Sequence, residues 1–185
     1  PDRDQEKEGD LVWIGNWGDG ERTEELKEFL IDPVKELGIK AKVYGVRYPQ
    51  EAINALKEAG IEYGGWLPNY KIPEVFSKYK VTVHIPRKPY LEMLQGIPTI
   101  RPFEALSCGI PLICSPWNDA EHLFSPGEDF LMAKDGNDMG YKIAEVLKST
   151  QLAIVKSKVF RGVMMPFGIS RTAVRGFNAS NLRSR

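Results

Sequence analysis

Reactive side chains are scarce in this chain of 185 residues. It has two cysteines, Cys108 and Cys114, and two histidines, His84 and His122, with no Cys-x-x-Cys pair. That spacing suggests no structural zinc and no other metal site. Both cysteines sit among apolar neighbours and read as small buried hydrophobes of a reducing compartment, so a cytoplasmic location is expected. Two isolated histidines support no Ser-His-Asp arrangement, and His122 reads as a surface residue. No apolar run is long enough to cross a membrane, and no basic-then-apolar leader opens the chain, so neither a membrane span nor a secretory signal is expected. The first residue is Pro1, which reads as a start inside a longer or processed product. A Gly-x-Gly-x-x-Gly turn is missing after the first apolar run, which counts against a nicotinamide dehydrogenase.

What is present suits a globular domain. Hydrophobic residues make up 42% and charged residues 27%, enough apolar material for a core. Formal charge sums to zero but is uneven. Residues 151–185 hold seven Lys or Arg and no acid, which leaves 18 basic against 25 acidic residues elsewhere. An acidic body with a short basic tail does not read as a nucleic-acid-binding domain.

Apolar runs alternate with helical patterns along the chain. Leu11–Ile14, Lys42–Arg47, Val81–Ile85, Pro111–Cys114 and Phe130–Ala133 read as strands, with a further short segment at Ile61–Trp66. Between them Glu21–Ile31, Pro49–Ala59, Ile72–Tyr79, Arg101–Cys108, Ala120–Phe124 and Asn137–Lys148 read as helices, with Gly60 and Gly109 as terminators. This predicts an α/β fold: a Rossmann-like parallel sheet with helices on both faces. The expected boundaries are a flexible lead-in over 1–10, a domain over 11–148 and a basic tail over 149–185, ordered at most in part. Right-handed crossovers bring every strand-to-helix turn to one edge of the sheet, where ligands of such folds bind. Residues just after strands therefore matter most.

One stretch carries chemistry. In Arg101-Pro-Phe-Glu-Ala-Leu-Ser-Cys-Gly109, Pro102 suits the first turn of a helix. The amides near Phe103 and Glu104 would then be unpaired donors at the positive end of the helix dipole, suited to a diphosphate. Arg101 would add a charge-assisted contact. Glu104 could accept hydroxyl hydrogen bonds from a ribose, or merely cap its helix.

The run from Phe103 to Leu112 resembles the donor-site signature of GT-B glycosyltransferases. Ile14–Asp19, Trp66–Tyr70 and Val83–Tyr90 are similar to segments of bacterial spore-maturation-type glycosyltransferases, and Gly127–Leu131 resembles the family's strand before its last helix. The resemblance covers about Leu11 to Lys148 and implies the C-terminal, donor-binding half of a GT-B fold. It implies a nucleotide-diphosphate sugar as substrate, no separate cofactor and no metal, with Glu104 on the ribose and helix amides on the phosphates. It also implies an N-terminal domain of the same protein that this stretch lacks. Two departures stand out: the second glutamate of many retaining enzymes would fall at Gly96, and the chain from Thr150 does not match the closing helices of the family.

Further candidates come from the same sheet edge. Gly15, Asn16 and Trp17 could approach the donor phosphates, or form a tight turn with a packing tryptophan. Tyr70 could line a base pocket, and His84 could face the pyrophosphate or be a satisfied core histidine. Arg87 and Lys88 could neutralise a diphosphate or form a solvated loop. No catalytic residue is assigned. A GT-B-like sugar-nucleotide epimerase and a non-catalytic nucleotide- or partner-binding module remain open alternatives.

Overall fold

The computed structural model describes residues 7–18, 20–94 and 97–148. The expectations for the first six residues, for Gly96 and for the tail from 149 lie outside the described residues. Six strands form one wholly parallel sheet: β1 (Gly9–Ile14), β2 (Ala41–Tyr44), β3 (Ile61–Tyr63), β4 (Tyr79–His84), β5 (Leu112–Cys114) and β6 (Leu131–Met132). Their order across the sheet is β3-β2-β1-β4-β5-β6.

The apolar run of β1 is continuous because both its faces are covered. Leu11 and Trp13 join one core with α1 (Thr23–Leu26), α2 (Asp32–Leu37), α3 (Gln50–Glu58) and α7 (Gly136–Lys148). Val12 and Ile14 join a second core on the opposite face, with α4 (Ile72–Ser77) and α6 (Ile100–Cys108). Helices thus lie on both faces, as the alternating pattern predicts. Gly109 ends α6 in the left-handed region at φ 67°, where a glycine carries no Cβ penalty.

Three local readings are corrected. First, β1 begins at Gly9, inside the expected lead-in, because Asp10 is held by Lys80 Nζ at 2.7 Å and by the Lys40 amide at 3.0 Å. Second, the helix expected to stop at Ile31 runs on through a π-helical stretch, Lys27–Ile31, into α2. Pro33 has no amide for an α-helical bond and its ring would crowd the carbonyl four residues back; the wider turn, in which the Asp32 amide reaches the Lys27 carbonyl, accommodates it. Third, Ala120–Phe124 is a turn, since the Asp119 carboxylate accepts from the Phe124 amide at 2.8 Å while the Phe124 ring enters a cluster with Phe103, Trp117 and Phe130. A short helix, α5 (Lys88–Glu92), is additional.

Strands β2 and β3 lie on one side of β1, and β4 to β6 on the other. The order in which strands are added therefore reverses between β1 and β4, and the loops that leave these two strands part there to open a crevice. No helix among the described residues is long and apolar enough to cross a membrane.

Candidate functional site

That crevice is a cleft of about 650 Å³, within the range of small-molecule sites. Its floor is the end of β1 with Gly15 and Asn16, one wall is the end of β4 from His84 to Arg87, and another is the segment from Ile97 to Arg101 that opens α6. Gly45, Val46, Trp66, Leu67 and Asn69 complete the far side.

The floor is tightly specified. A Cβ on Gly45 would lie 1.9 Å from the Gly15 carbonyl oxygen, so the turns after β1 and β2 approach more closely than any side chain permits. Tyr48 donates its hydroxyl to the same carbonyl at 2.8 Å. Asn16 Oδ1 accepts the Val46 amide at 3.1 Å.

Arg22 is the principal side chain that sequence reasoning missed. It is buried, its Nε donates to the Asn16 carbonyl at 3.0 Å, with Nη2 on the same oxygen, and its Nη1 donates to the Ile85 carbonyl at 2.9 Å. No carboxylate among the described residues forms an ion pair with it. Burial, with Arg87 and Arg101 nearby, brings its pKa down to about 10, so it remains a cation at neutral pH. An unneutralised guanidinium on the floor of a cleft is a device for an anion. Sequence offered one signal: a basic residue two positions after the first glycine-rich turn.

Arg87 lines the same cleft but is partly neutralised by Glu21 Oε2 at 3.1 Å and lies over the Tyr90 ring. Lys88 starts α5 and is not among the lining residues. Arg101 lines the cleft and donates to Glu104 Oε2 at 2.5 Å. Burial lowers its pKa while Glu104 opposes that shift.

His84 is buried at the end of β4, 4% exposed. Its Nε2 lies 2.9 Å from Thr99 Oγ1, and its Nδ1 has no partner among the described residues. Burial, then the charges of Arg22 and Arg101, push its pKa down to about 3, so the ring is neutral. It is a buried histidine that lines the cleft, but with Nδ1 unpartnered among the described residues it is not the satisfied core histidine of the first reading.

Helix α6 starts one residue earlier than expected, with Thr99 as its N-cap. Pro102 is then the third helical residue, and the amides without a helical acceptor are those of Ile100 and Arg101. Phe103 and Glu104 lie deeper in the hydrogen-bonded ladder, which corrects their expected role as amide donors. The Phe103 ring packs on Phe124 at 5.1 Å.

The structure thus brings Gly15, Asn16, His84, Arg87 and Arg101 together. Trp17 is buried against Tyr48 and does not line the cleft. Glu104 is half-buried behind Arg101 and outside the lining. Tyr70 points to solvent, 79% exposed, and its neighbours Trp66 and Asn69 occupy the rim in its place.

A parallel sheet in this order, open at its switch point, is the Rossmann-like half of a GT-B fold. It superposes on the T4 phage β-glucosyltransferase in complex with its UDP-glucose substrate (TM-score 0.69, 15% identity, 86% of this chain and 44% of that one). It likewise matches sucrose-phosphate synthase from Thermosynechococcus elongatus (TM-score 0.64, 19% identity, 83% and 40%). A third match is Anabaena HepE in complex with UDP and glucose (TM-score 0.61, 15% identity, 82% and 42%). The chain spans less than half the length of these proteins. By sequence it matches none of the curated proteins. The chain belongs to the glycosyl transferase-like family, which it matches over residues 22–159.

Proposed function

We propose that the chain is the donor-binding half of a glycosyltransferase, and that its cleft holds a nucleoside-diphosphate sugar for transfer to an acceptor held by a second domain. The observation that carries this reading is the charge of the cleft: Arg22, Arg87 and Arg101 line it together with the amide end of α6, and no carboxylate among the described residues lines it. Such a site stabilises a diphosphate, and most strongly at the moment it departs with the extra negative charge of bond cleavage. Arg22, fixed by two carbonyls and without an ion pair among the described residues, is the group assigned to that charge. Trp66 and Asn69 on the far rim are assigned to the base. Glu104 keeps the ribose role that the family resemblance implies, and reaches it only by loosening from Arg101.

One complex of the T4 phage enzyme holds UDP and Mn²⁺. The donor set here does not fit such an ion: the cleft offers guanidinium groups and a neutral, buried imidazole, and no cluster of three or more His, Cys, Asp or Glu exists among the described residues. Charge neutralisation is therefore derived from the chain's own cations.

The test is a thermal-shift titration of the chain with UDP, GDP, ADP and dTDP. Stabilisation by one of them is expected, about 2.7 kcal/mol at a hundredfold excess over Kd, and its loss in Arg22→Ala and Glu104→Ala proteins that keep their far-UV circular dichroism. Without its partner domain the chain should transfer little or no sugar. Stabilisation by none of the four overturns the reading.

A further inference from the structure

We infer that His84 is a positioning residue: by holding the Thr99 hydroxyl it keeps the mouth of α6 uncapped, so that the Ile100 and Arg101 amides and the Thr99 O–H all face the phosphates of a donor. The inference rests on the donor reading above.

A threonine at the N-cap ordinarily turns its oxygen onto the amide of the second or third helical residue and so occupies the helix end itself. Thr99 makes no such bond. Pro102 stands at the third position and has no amide, so the only remaining local partner is Arg101 N–H. Instead, Thr99 Oγ1 is held 2.9 Å from His84 Nε2, a ring anchored at the end of β4 and set edge-on to Trp117 with 5.8 Å between centroids. The helix end is thereby left for a ligand.

The ring's second nitrogen fixes which way that bond runs. His84 Nδ1 is buried and has no partner among the described residues. A proton there would be an orphaned buried N–H, which proteins avoid more strictly than an orphaned acceptor. The proton therefore sits on Nε2 and is donated to Thr99 Oγ1. That oxygen, its acceptor side engaged, has its own hydrogen free to donate into the cleft. Burial, and after it the charges of Arg22 and Arg101, hold the ring neutral, so it adds no further cation to Arg22, Arg87 and Arg101. The arrangement supplies three neutral donors beside the guanidinium groups of the cleft, all preorganised before the ligand arrives.

The experiment measures binding of the nucleoside diphosphate that stabilises the chain, and of inorganic pyrophosphate, by calorimetry. His84→Phe should weaken both about tenfold or more, the worth of one charge-assisted hydrogen bond, and His84→Gln, whose amide reaches the position of Nε2, should restore most of it. Thr99→Val removes the hydroxyl without touching the buried ring and should give the same loss, which keeps the test sound if His84→Phe folds poorly. Undiminished binding in Thr99→Val and His84→Phe overturns this inference and leaves the donor reading standing. Absence of nucleoside-diphosphate binding by the wild-type chain overturns both. A nitrogen-15 spectrum of the histidine rings is the independent readout: the proton on Nε2 is expected, and a proton on Nδ1 overturns the arrangement whatever the affinities are.

Discussion

The guanidinium of Arg22 lies over the ring of Trp13, 5.0 Å from its centroid, and so couples the cleft floor to the largest fully buried side chain of the core. The ring face attracts the cation while the Asn16 and Ile85 carbonyls orient it. Removing Arg22 should leave two carbonyls without their donor and cost about 2–3 kcal/mol in denaturant unfolding. Arg22→Lys should recover little of this, because one ammonium cannot serve both carbonyls in the fixed fork geometry. Equal stability of Arg22→Lys and wild type would contradict the geometry.

Gly45→Ala should be among the most damaging small substitutions. Its new methyl would meet the Gly15 carbonyl at 1.9 Å, a backbone atom that no rotamer change can move. A loss of about 1–3 kcal/mol or more is expected, with perturbed amide shifts at Gly15 and Asn16. Gly20→Ala, which meets nothing within 4 Å but keeps a φ of 81°, should cost only about 1 kcal/mol.

Acid should weaken the fold through His84. Its pKa falls from 6.5 to about 3 on folding, chiefly by burial. Between those values the unfolded ring binds a proton that the folded ring refuses, so stability is intact above about 6.5 and declines as the pH drops, by at most ~1.4 kcal/mol per unit. Chemical denaturation at pH 7, 5.5 and 4.5 should show a shallower decline in His84→Gln than in wild type. Parallel curves for the two proteins would refute a neutral, buried ring.

Trp66→Ala and Tyr70→Ala separate two neighbouring aromatics. Trp66 is 71% exposed yet lines the cleft, whereas Tyr70 is exposed away from it. Neither change should alter stability by more than about 0.5 kcal/mol. Trp66→Ala should weaken nucleotide binding about tenfold through lost stacking on the base, and Tyr70→Ala should leave it unchanged. The reverse ranking would move the base to the other side of the rim.

Much of the fold was legible because β1 and β5 are buried on both faces and carry unbroken apolar runs, while β4 still shows Val81 and Val83 between the buried polar residues Thr82 and His84. Turns at Gly15 and Asn16, and the strand end at His84, were legible for the same reason: a parallel sheet places its ligand at strand ends. Arg22 was not, since its partners are carbonyls, one of them 63 residues distant, and carbonyls leave no trace in residue type. The α6 start was displaced because Thr99, an ordinary capping residue, is engaged elsewhere. Tyr70 and Trp66 could not be ranked by spacing, because the 3-10 turn Asn69–Lys71 decides which ring faces the cleft.

The π-helical stretch ahead of Pro33 carries a consequence for the other end of the domain. Its wider winding sets the angle at which Val34, wholly buried, meets the layer that α7 also enters. Deleting one residue from Lys27–Ile31 would remove the extra residue that the wider turn takes up and press the Pro33 ring against the carbonyl four residues back. Relieving that clash would kink the helix, shift Val34 and disturb the bed of α7. One ring-locked imino acid thus dictates how many residues the first connection must contain, and α7 inherits that count.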